Sequence, residues 1–288
     1  MQRIVITGVT SGFGQQWLYN LDTQGAFQGA VEFFVLARNR RKFDAMVKHR
    51  PLKNRVNFVS CDLSSLQAIH AAADQIHRLV GHIDLLINNA GHWSTENYTE
   101  TEDGIESTLA VNQIAPFVLT GRLLPLLAAA NKASIVNTAS FRHKDARVDR
   151  ADIQLKAAFD AEQAYCNSKL YCVLFTQMLA EKLVGSHVTV NCFDPGIVDT
   201  PMLKQAFPKN LRFLYPLVKR FIAQSPDKGA ETGVYLSTSP ACIDVTGQYY
   251  KDRKQVGISK QAQDRSLGKW LWTESERLSG YKLPQIGQ

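Results

Sequence analysis

Cysteine is scarce: the chain has five in 288 residues, Cys61, Cys166, Cys172, Cys192 and Cys242. They are odd in number, scattered and without a Cys-x-x-Cys pair, which excludes a disulfide framework. They are expected as reduced thiols packed as small hydrophobes. The seven histidines include no pair at zinc-ligand spacing, so no metal site is expected. No apolar run reaches the roughly 18 residues a membrane span needs. The longest, from Ile114 to Ala130, is interrupted by Pro116, Arg122 and Pro125. A strand-like run, Arg3 to Thr7, begins at once, so no secretory leader is expected and the protein reads as soluble and cytoplasmic. There is no Gly/Ser/Pro linker, low-complexity tract or internal repeat, which favours one domain over two. A net charge of +7 raises nucleic acid as a partner. Its densest cluster, Arg38 to Lys42, has no nucleic-acid motif around it and suits a small phosphorylated ligand instead.

What is present is globular. With 45% hydrophobic and 20% charged residues, the chain is neither disordered, collagen-like nor a coiled coil. Short apolar, β-branched runs recur at Arg3–Thr7, Val31–Ala37, Val56–Cys61, Ile83–Ile87, Ser134–Thr138 and Val188–Phe193, with a weaker one at Gly247–Tyr250. Several are hydrophobic almost throughout, as parallel strands covered on both faces are. Helical stretches between them predict a Rossmann-type α/β fold: a doubly wound parallel sheet of about seven strands with helices on both faces. Leu267, Trp270, Leu271 and Leu278 fall at helical spacing and predict a closing helix.

The first strand runs into Gly8-Val9-Thr10-Ser11-Gly12-Phe13-Gly14, and a helix follows. Glycines let a backbone turn tightly and approach a ligand closely. The free N–H groups and dipole at the helix start suit a pyrophosphate. The second strand ends at Leu36-Ala37 without the acid that grips a ribose in NAD-binding folds, and Arg38 comes next. A guanidinium there suits a 2′-phosphate, predicting NADP(H) over NAD(H), with NAD(H) use still open. Tyr165 and Lys169 stand one helical turn apart. An ammonium beside the phenol would lower its pKa and make Tyr165 a general acid or base for carbonyl and alcohol interconversion.

Taken together, Thr7-Gly8-x-x-x-Gly12-x-Gly14, Cys61-Asp62-Leu63, Asn88-Asn89-Ala90-Gly91, Asn112, Ser140, Tyr165-x-x-x-Lys169 and Pro195-Gly196-Ile197-Val198-Asp199-Thr200 resemble the short-chain dehydrogenase/reductase family over essentially the whole chain. The segments Leu36-Ala37-Arg38-Asn39, Thr101 to Glu106 and Ser266 to Trp272 are most similar to its retinol dehydrogenase-like branch. The resemblance implies that Asp62 and Leu63 hold an adenine, and that Asn89, Ala90 and Gly91 line the adenosine side. It gives Ser140 the reacting oxygen, Lys169 the nicotinamide ribose and Asn112 a water relay behind Lys169. Pro195 to Thr200 would meet the nicotinamide, with Val198 at its carboxamide and Thr200 near the phosphates. It further implies a homodimer or homotetramer through the helices carrying Asn112 and Tyr165. Four departures stand out: a long Ser140–Tyr165 loop, Ala139 in place of a second serine, Phe13 between two glycines, and Asp194 before Pro195. The anchor carried by several retinoid enzymes of the branch is not expected here.

Residues 1–200 read as the cofactor-binding and catalytic core, 201–228 as a lid over the substrate and 229–288 as a closing segment. The lid stretch from Met202 to Ser225 mixes Phe207, Leu211, Phe213, Leu214, Leu217 and Phe221 with lysines and arginines. Apolar side chains there suit a hydrophobic carbonyl or alcohol. The same mixture also suits docking on a membrane surface or an acidic carrier protein, or packing within the fold or against a sister subunit. His143 reads as an ordinary loop histidine more readily than as a substrate contact. A catalytically silent dinucleotide-binding regulator or scaffold, and an NAD-dependent alcohol dehydrogenase, are the alternative functions.

Overall fold

The apolar runs meet in one sheet in the computed structural model, which describes residues 1–23, 27, 29–94, 97–206 and 215–285. Its strands are β1 (Gln2–Thr7), β2 (Val31–Ala37), β3 (Arg55–Ser60), β4 (Leu85–Asn88), β5 (Ala133–Thr138), β6 (Val188–Asp194), β7 (Tyr249–Lys251) and β8 (Lys254–Gln255). Their order is β3-β2-β1-β4-β5-β6-β7-β8, parallel from β3 through β7. The sheet has eight strands rather than about seven. The extra one, β8, pairs antiparallel with β7 across Asp252 and Arg253, both with positive φ as a two-residue hairpin demands. Two polar residues give it no apolar signature to read.

Helices α1 (Gly12–Thr23), α2 (Arg40–His49) and α9 (Pro226–Thr238) cover one face, packing Trp17, Leu18, Phe43 and Val234 onto Ile4, Ile6, Phe33 and Ile87. On the other face lie α3 (Leu66–Leu79), α5 (Ala115–Ala128), α6 (Ala161–Lys182) and α10 (Arg265–Ser279), over Val5, Phe34, Leu86 and Ile135. A sheet buried on both sides explains strands without polar alternation. The short α4 (Ser107–Leu109) and α5 are joined by a π-helical turn, Ala110–Ile114. That whole run, Ser107–Ala128, is long and apolar enough to cross a membrane, yet its most apolar window is 78% buried, the mark of a core helix. The smaller helices α7 (Pro201–Ala206) and α8 (Tyr215–Phe221) follow β6.

The closing helix α10 is capped by Asp264 and lies on α6. Trp272 sets its ring edge-on to Phe117 of α5 at 5.1 Å. Ser275 accepts a hydrogen bond from Gln113, and Tyr281 and Leu283 fit so closely over Gly121 that a methyl group there would overlap them. The helices expected to pair with a second copy are thus covered along these contacts by the chain's own C-terminal segment.

Candidate functional site

At the boundary between β1 and β4 the chain reverses its direction of sheet growth, leaving a crevice at the strands' C-terminal ends. The Gly-rich turn between β1 and α1 forms its floor. Gly8 has φ 74°, and a Cβ there would lie 2.7 Å from the backbone of Ala90. A Cβ on Gly14 would lie 2.3 Å from the carbonyl oxygen of Gly8. Only glycine fits either place. Thr7 accepts hydrogen bonds through Oγ1 from the backbone N–H groups of Asn89 and Ala90 at 3.0 and 2.9 Å. Asn89 returns its Nδ2 to the carbonyls of Thr7 and Gly8, both at 3.1 Å. The Gly-rich turn and the Asn88–Gly91 segment are therefore one locked unit.

Above this unit opens a cavity of about 440 Å³ lined by Gly8, Thr10, Ser11, Gly12, Phe13, Gly14, Arg38, Asp62, Leu63, Asn89, Ala90, Gly91 and Thr200. These are the residues expected to hold a dinucleotide, apart from Lys169, Tyr165, Pro195, Gly196 and Val198. At its mouth Arg38 is 72% exposed and sits 3.7 Å from the Asp62 carboxylate. Burial opposes the charge on Asp62, but hydrogen bonds from the Ser64 side chain and backbone, with Arg38, hold its pKa below the usual value. Asn39 caps α2 through the Lys42 N–H, so the helix start also faces this mouth.

The reactive groups meet beyond the ends of β5 and β6. Ser140 follows β5, and its side chain hydrogen-bonds the Tyr165 phenol. Lys169, buried one turn along α6, donates from Nζ to the Thr138 carbonyl at 2.9 Å and lies 5.5 Å from the Tyr165 ring centre. The expected lowering of the Tyr165 pKa is absent. Burial pushes the phenol above its ordinary value, Asp194 and Cys166 add to the rise, and the Ser140 hydrogen bond and Arg142 only partly offset it. Lys169 is committed to a backbone carbonyl, and its own pKa is lowered by burial despite the opposing pull of Cys172 and Asp194.

Asn112 sits in the π turn, with its side chain clamped to both backbone groups of His92. Its Oδ1 accepts from the His92 N–H at 2.7 Å and its Nδ2 donates to the His92 carbonyl at 2.8 Å. Nδ2 also donates to Ser168 at 2.9 Å. Behind Lys169 lies a cavity of about 10 Å³ lined by Asn112, Lys169, Asn88 and Thr138 among others. Asn88 Oδ1 is buried there without a hydrogen-bond partner. A single water needs roughly this much room and such partners.

After β6, Asp194 accepts a hydrogen bond from the Gly196 N–H at 2.9 Å, and Gly196 has φ 77°. The unusual acid thus shapes the glycine turn. Val198 is buried, its side chain directed at Gly229 of α9, so its backbone is the part left to meet a ligand. The bridge from Val198 to Gln224 uses the Ile197 carbonyl and the Asp199 N–H, not Val198's own. Thr200 approaches Gly12 so closely that a Cβ there would lie 3.0 Å from its methyl group. Asp199 receives hydrogen bonds or charge from Tyr215 at 2.9 Å and Lys219 at 2.8 Å, tying α8 to this loop. Expected lid residues Phe207, Leu211, Phe213 and Leu214 lie outside the described residues.

The long loop before Tyr165 is pinned rather than loose. Asn167 of α6 accepts from the Arg147 N–H at 2.9 Å and donates to its carbonyl at 3.1 Å, and Arg142 pairs with Glu162. His143 is fully buried. It donates from Nδ1 to the Ser140 carbonyl at 2.8 Å and accepts the Ser259 N–H at Nε2 at 3.2 Å, an arrangement that supports the loop and fixes a neutral tautomer. The five cysteines are buried and unpaired, and burial raises Cys61 to about 12 and Cys172 to about 11. Among the described residues no cluster of His, Cys, Asp and Glu could hold a metal ion.

Further residues complete the site beyond those expected singly. Lys42, the last member of the basic cluster after β2, lines the cavity mouth one turn past Asn39. Trp93 stacks on Tyr165 with ring centres 4.2 Å apart and planes 6° from parallel. No local signal marks it, because the partner is 72 residues away in the chain.

The family model described as short chain dehydrogenase matches residues 2–211. Human retinol dehydrogenase 13 is 32% identical, covering 98% of this chain and 86% of that protein. Human polyprenol dehydrogenase is 30% identical, covering 96% and 84%. Among solved structures, an uncharacterized protein from Mycobacterium Paratuberculosis superposes with a TM-score of 0.77 at 27% identity, over 99% of this chain and 95% of that one. The Pseudomonas aeruginosa RhlG/NADP active-site complex gives 0.67 at 24% identity, over 86% and 93%.

Proposed function

Because the chain belongs to the short-chain dehydrogenase family, we propose that this oxidoreductase uses NADP(H) to interconvert a carbonyl and its alcohol on a hydrophobic substrate. The observation that carries the chemistry is the Ser140 side chain on the Tyr165 phenol, with the buried Lys169 over the same ring. The glycine cradle fits a dinucleotide, since Gly8, Gly12 and Gly14 line the open cavity of about 440 Å³ without side chains of their own. The start of α1 would hold the pyrophosphate, Asp62 and Leu63 the adenine, Arg38 a 2′-phosphate, Lys169 the nicotinamide ribose, and Val198 and Thr200 the nicotinamide end. A bound nicotinamide supplies hydride chemistry. The chain's own part is to orient the substrate oxygen at Ser140 and to give it a proton from the Tyr165 hydroxyl, or to take one back. A phenol whose pKa is raised by burial stays protonated at neutral pH, so it serves first as a general acid. Asn112 and the water-sized space behind Lys169 would let the proton be replaced from solvent.

Hydrophobic substrates are supported by the relatives' names, since retinol and polyprenol are long apolar alcohols. Residues 201–228 would cover the substrate, and there Leu217, Phe221 and Ile222 are exposed apolar side chains. The cofactor preference is tested by titrating the protein with NADPH and NADH while following nicotinamide fluorescence. A charge-assisted bond contributes roughly 1.5–3 kcal/mol, so Arg38→Asp should erase a preference of about 10- to 150-fold for NADPH. Equal or tighter NADH binding by the unaltered protein would reverse the role of Arg38, and no binding of either would favour a scaffold.

A further inference from the structure

Trp93 belongs to the segment that lines the cavity, yet neither the dinucleotide cradle nor the proton transfer uses it. Its backbone is fixed on both sides. His92 before it is held at N–H and C=O by Asn112, and Ser94 after it donates to Thr108 at 3.3 Å. Held in that way, the half-buried indole lies parallel to the Tyr165 ring at 4.2 Å. An indole at that spacing leaves no room on its side of the phenol, and the Lys169 ammonium lies 5.5 Å from the centre of the same ring. A substrate oxygen that takes the Tyr165 proton must therefore reach the hydroxyl from outside the face that Trp93 covers.

We propose that Trp93 is a specificity-determining residue, a wall that limits the bulk of the group carried on one side of the reacting carbonyl carbon. This rests on Tyr165 being the proton donor. A carbonyl oxygen within hydrogen-bond reach of that hydroxyl puts its carbon just past the ring edge. A substituent turned toward the stacked face meets the indole, and one turned away does not. A small group is admitted on the Trp93 side, and the long apolar part of the substrate leaves on the other.

The test uses the full chain with NADPH and three carbonyls sharing one decyl chain: the aldehyde, the methyl ketone and the isopropyl ketone. A pocket that rejects one or two methyl groups discriminates by roughly 10- to 200-fold. Trp93→Ala should therefore raise the ratio of kcat/KM for the isopropyl ketone over the aldehyde by about 10-fold or more. Trp93→Phe, which keeps a stacked ring, should leave that ratio within about 2-fold, and NADPH affinity should be unchanged in both. If Trp93→Ala fails to fold, Trp93→Leu removes the flat wall while filling much of the space, and a smaller rise in the same direction is expected. A variant that changes all three carbonyls by one common factor overturns the proposal and leaves the oxidoreductase reading intact. If the unaltered protein binds NADPH but neither it nor any variant reduces any of the three, the oxidoreductase reading itself falls, and the wall with it.

Discussion

Tyr165→Phe should abolish turnover while leaving the protein folded and able to bind cofactor. General acid catalysis by a placed side chain contributes on the order of 10²- to 10⁴-fold, and kcat should fall by that amount. The deletion is clean because the ring stays. Its stacking on Trp93 at 4.2 Å and the passage of Lys169 over its face do not depend on the hydroxyl. Ser140 alone loses a partner. NADPH affinity, read by nicotinamide fluorescence, should stay within about 2-fold of the unaltered protein, as expected when a lost interaction is made only in the transition state. A variant that keeps full activity would remove Tyr165 from the mechanism, and one that loses cofactor binding would make it a binding residue instead.

Gly14→Ala attacks the other half of the site. The added methyl would lie 2.2 Å from Asn89 Nδ2 and 2.3 Å from the Gly8 carbonyl oxygen. Neither can retreat cheaply: Nδ2 is bonded to the carbonyls of Thr7 and Gly8, and Gly8 already lies against the Ala90 backbone. Overpacking of this kind costs about 1–3 kcal/mol of stability. Displacing a ligand cradle by an ångström costs activity on the order of 100-fold. The expected result is a folded protein with a lowered unfolding midpoint and an NADPH Kd raised about 100-fold, measured by thermal melting and fluorescence titration. Unchanged affinity would mean that the pyrophosphate sits elsewhere.

Strands and glycines were legible because their signals are local. A run such as Val31–Ala37 is hydrophobic throughout because both of its faces are covered, and its observed limits match the expected ones. The Gly-rich turn reads directly because few other residues tolerate the backbone that Gly8 adopts. What the sequence could not carry is long-range. The rise in the Tyr165 pKa depends on how deeply α6 sits, and Thr138 claims the Lys169 ammonium, neither of which a four-residue spacing encodes. Which apolar residues of α5 the closing helix covers, as Trp272 does Phe117, is set by contacts far apart in the chain. The strand β8 was missed because hairpin geometry, not hydrophobicity, makes it.

The lock between Thr7 and Asn89 also has a consequence for the order in which the site comes into being during synthesis. The turn that would grip a pyrophosphate leaves a ribosome well before the groups that shape it, Asn89 and Ala90, whose bonds to Thr7 span 82 and 83 positions. Asn89 is itself braced by Thr138, at the end of β5. A nascent chain therefore carries the glycine motif long before it owns a nucleotide site, and no cofactor can steady its early portion. Assembly of the central strands must come first, and binding ratifies a fold already made.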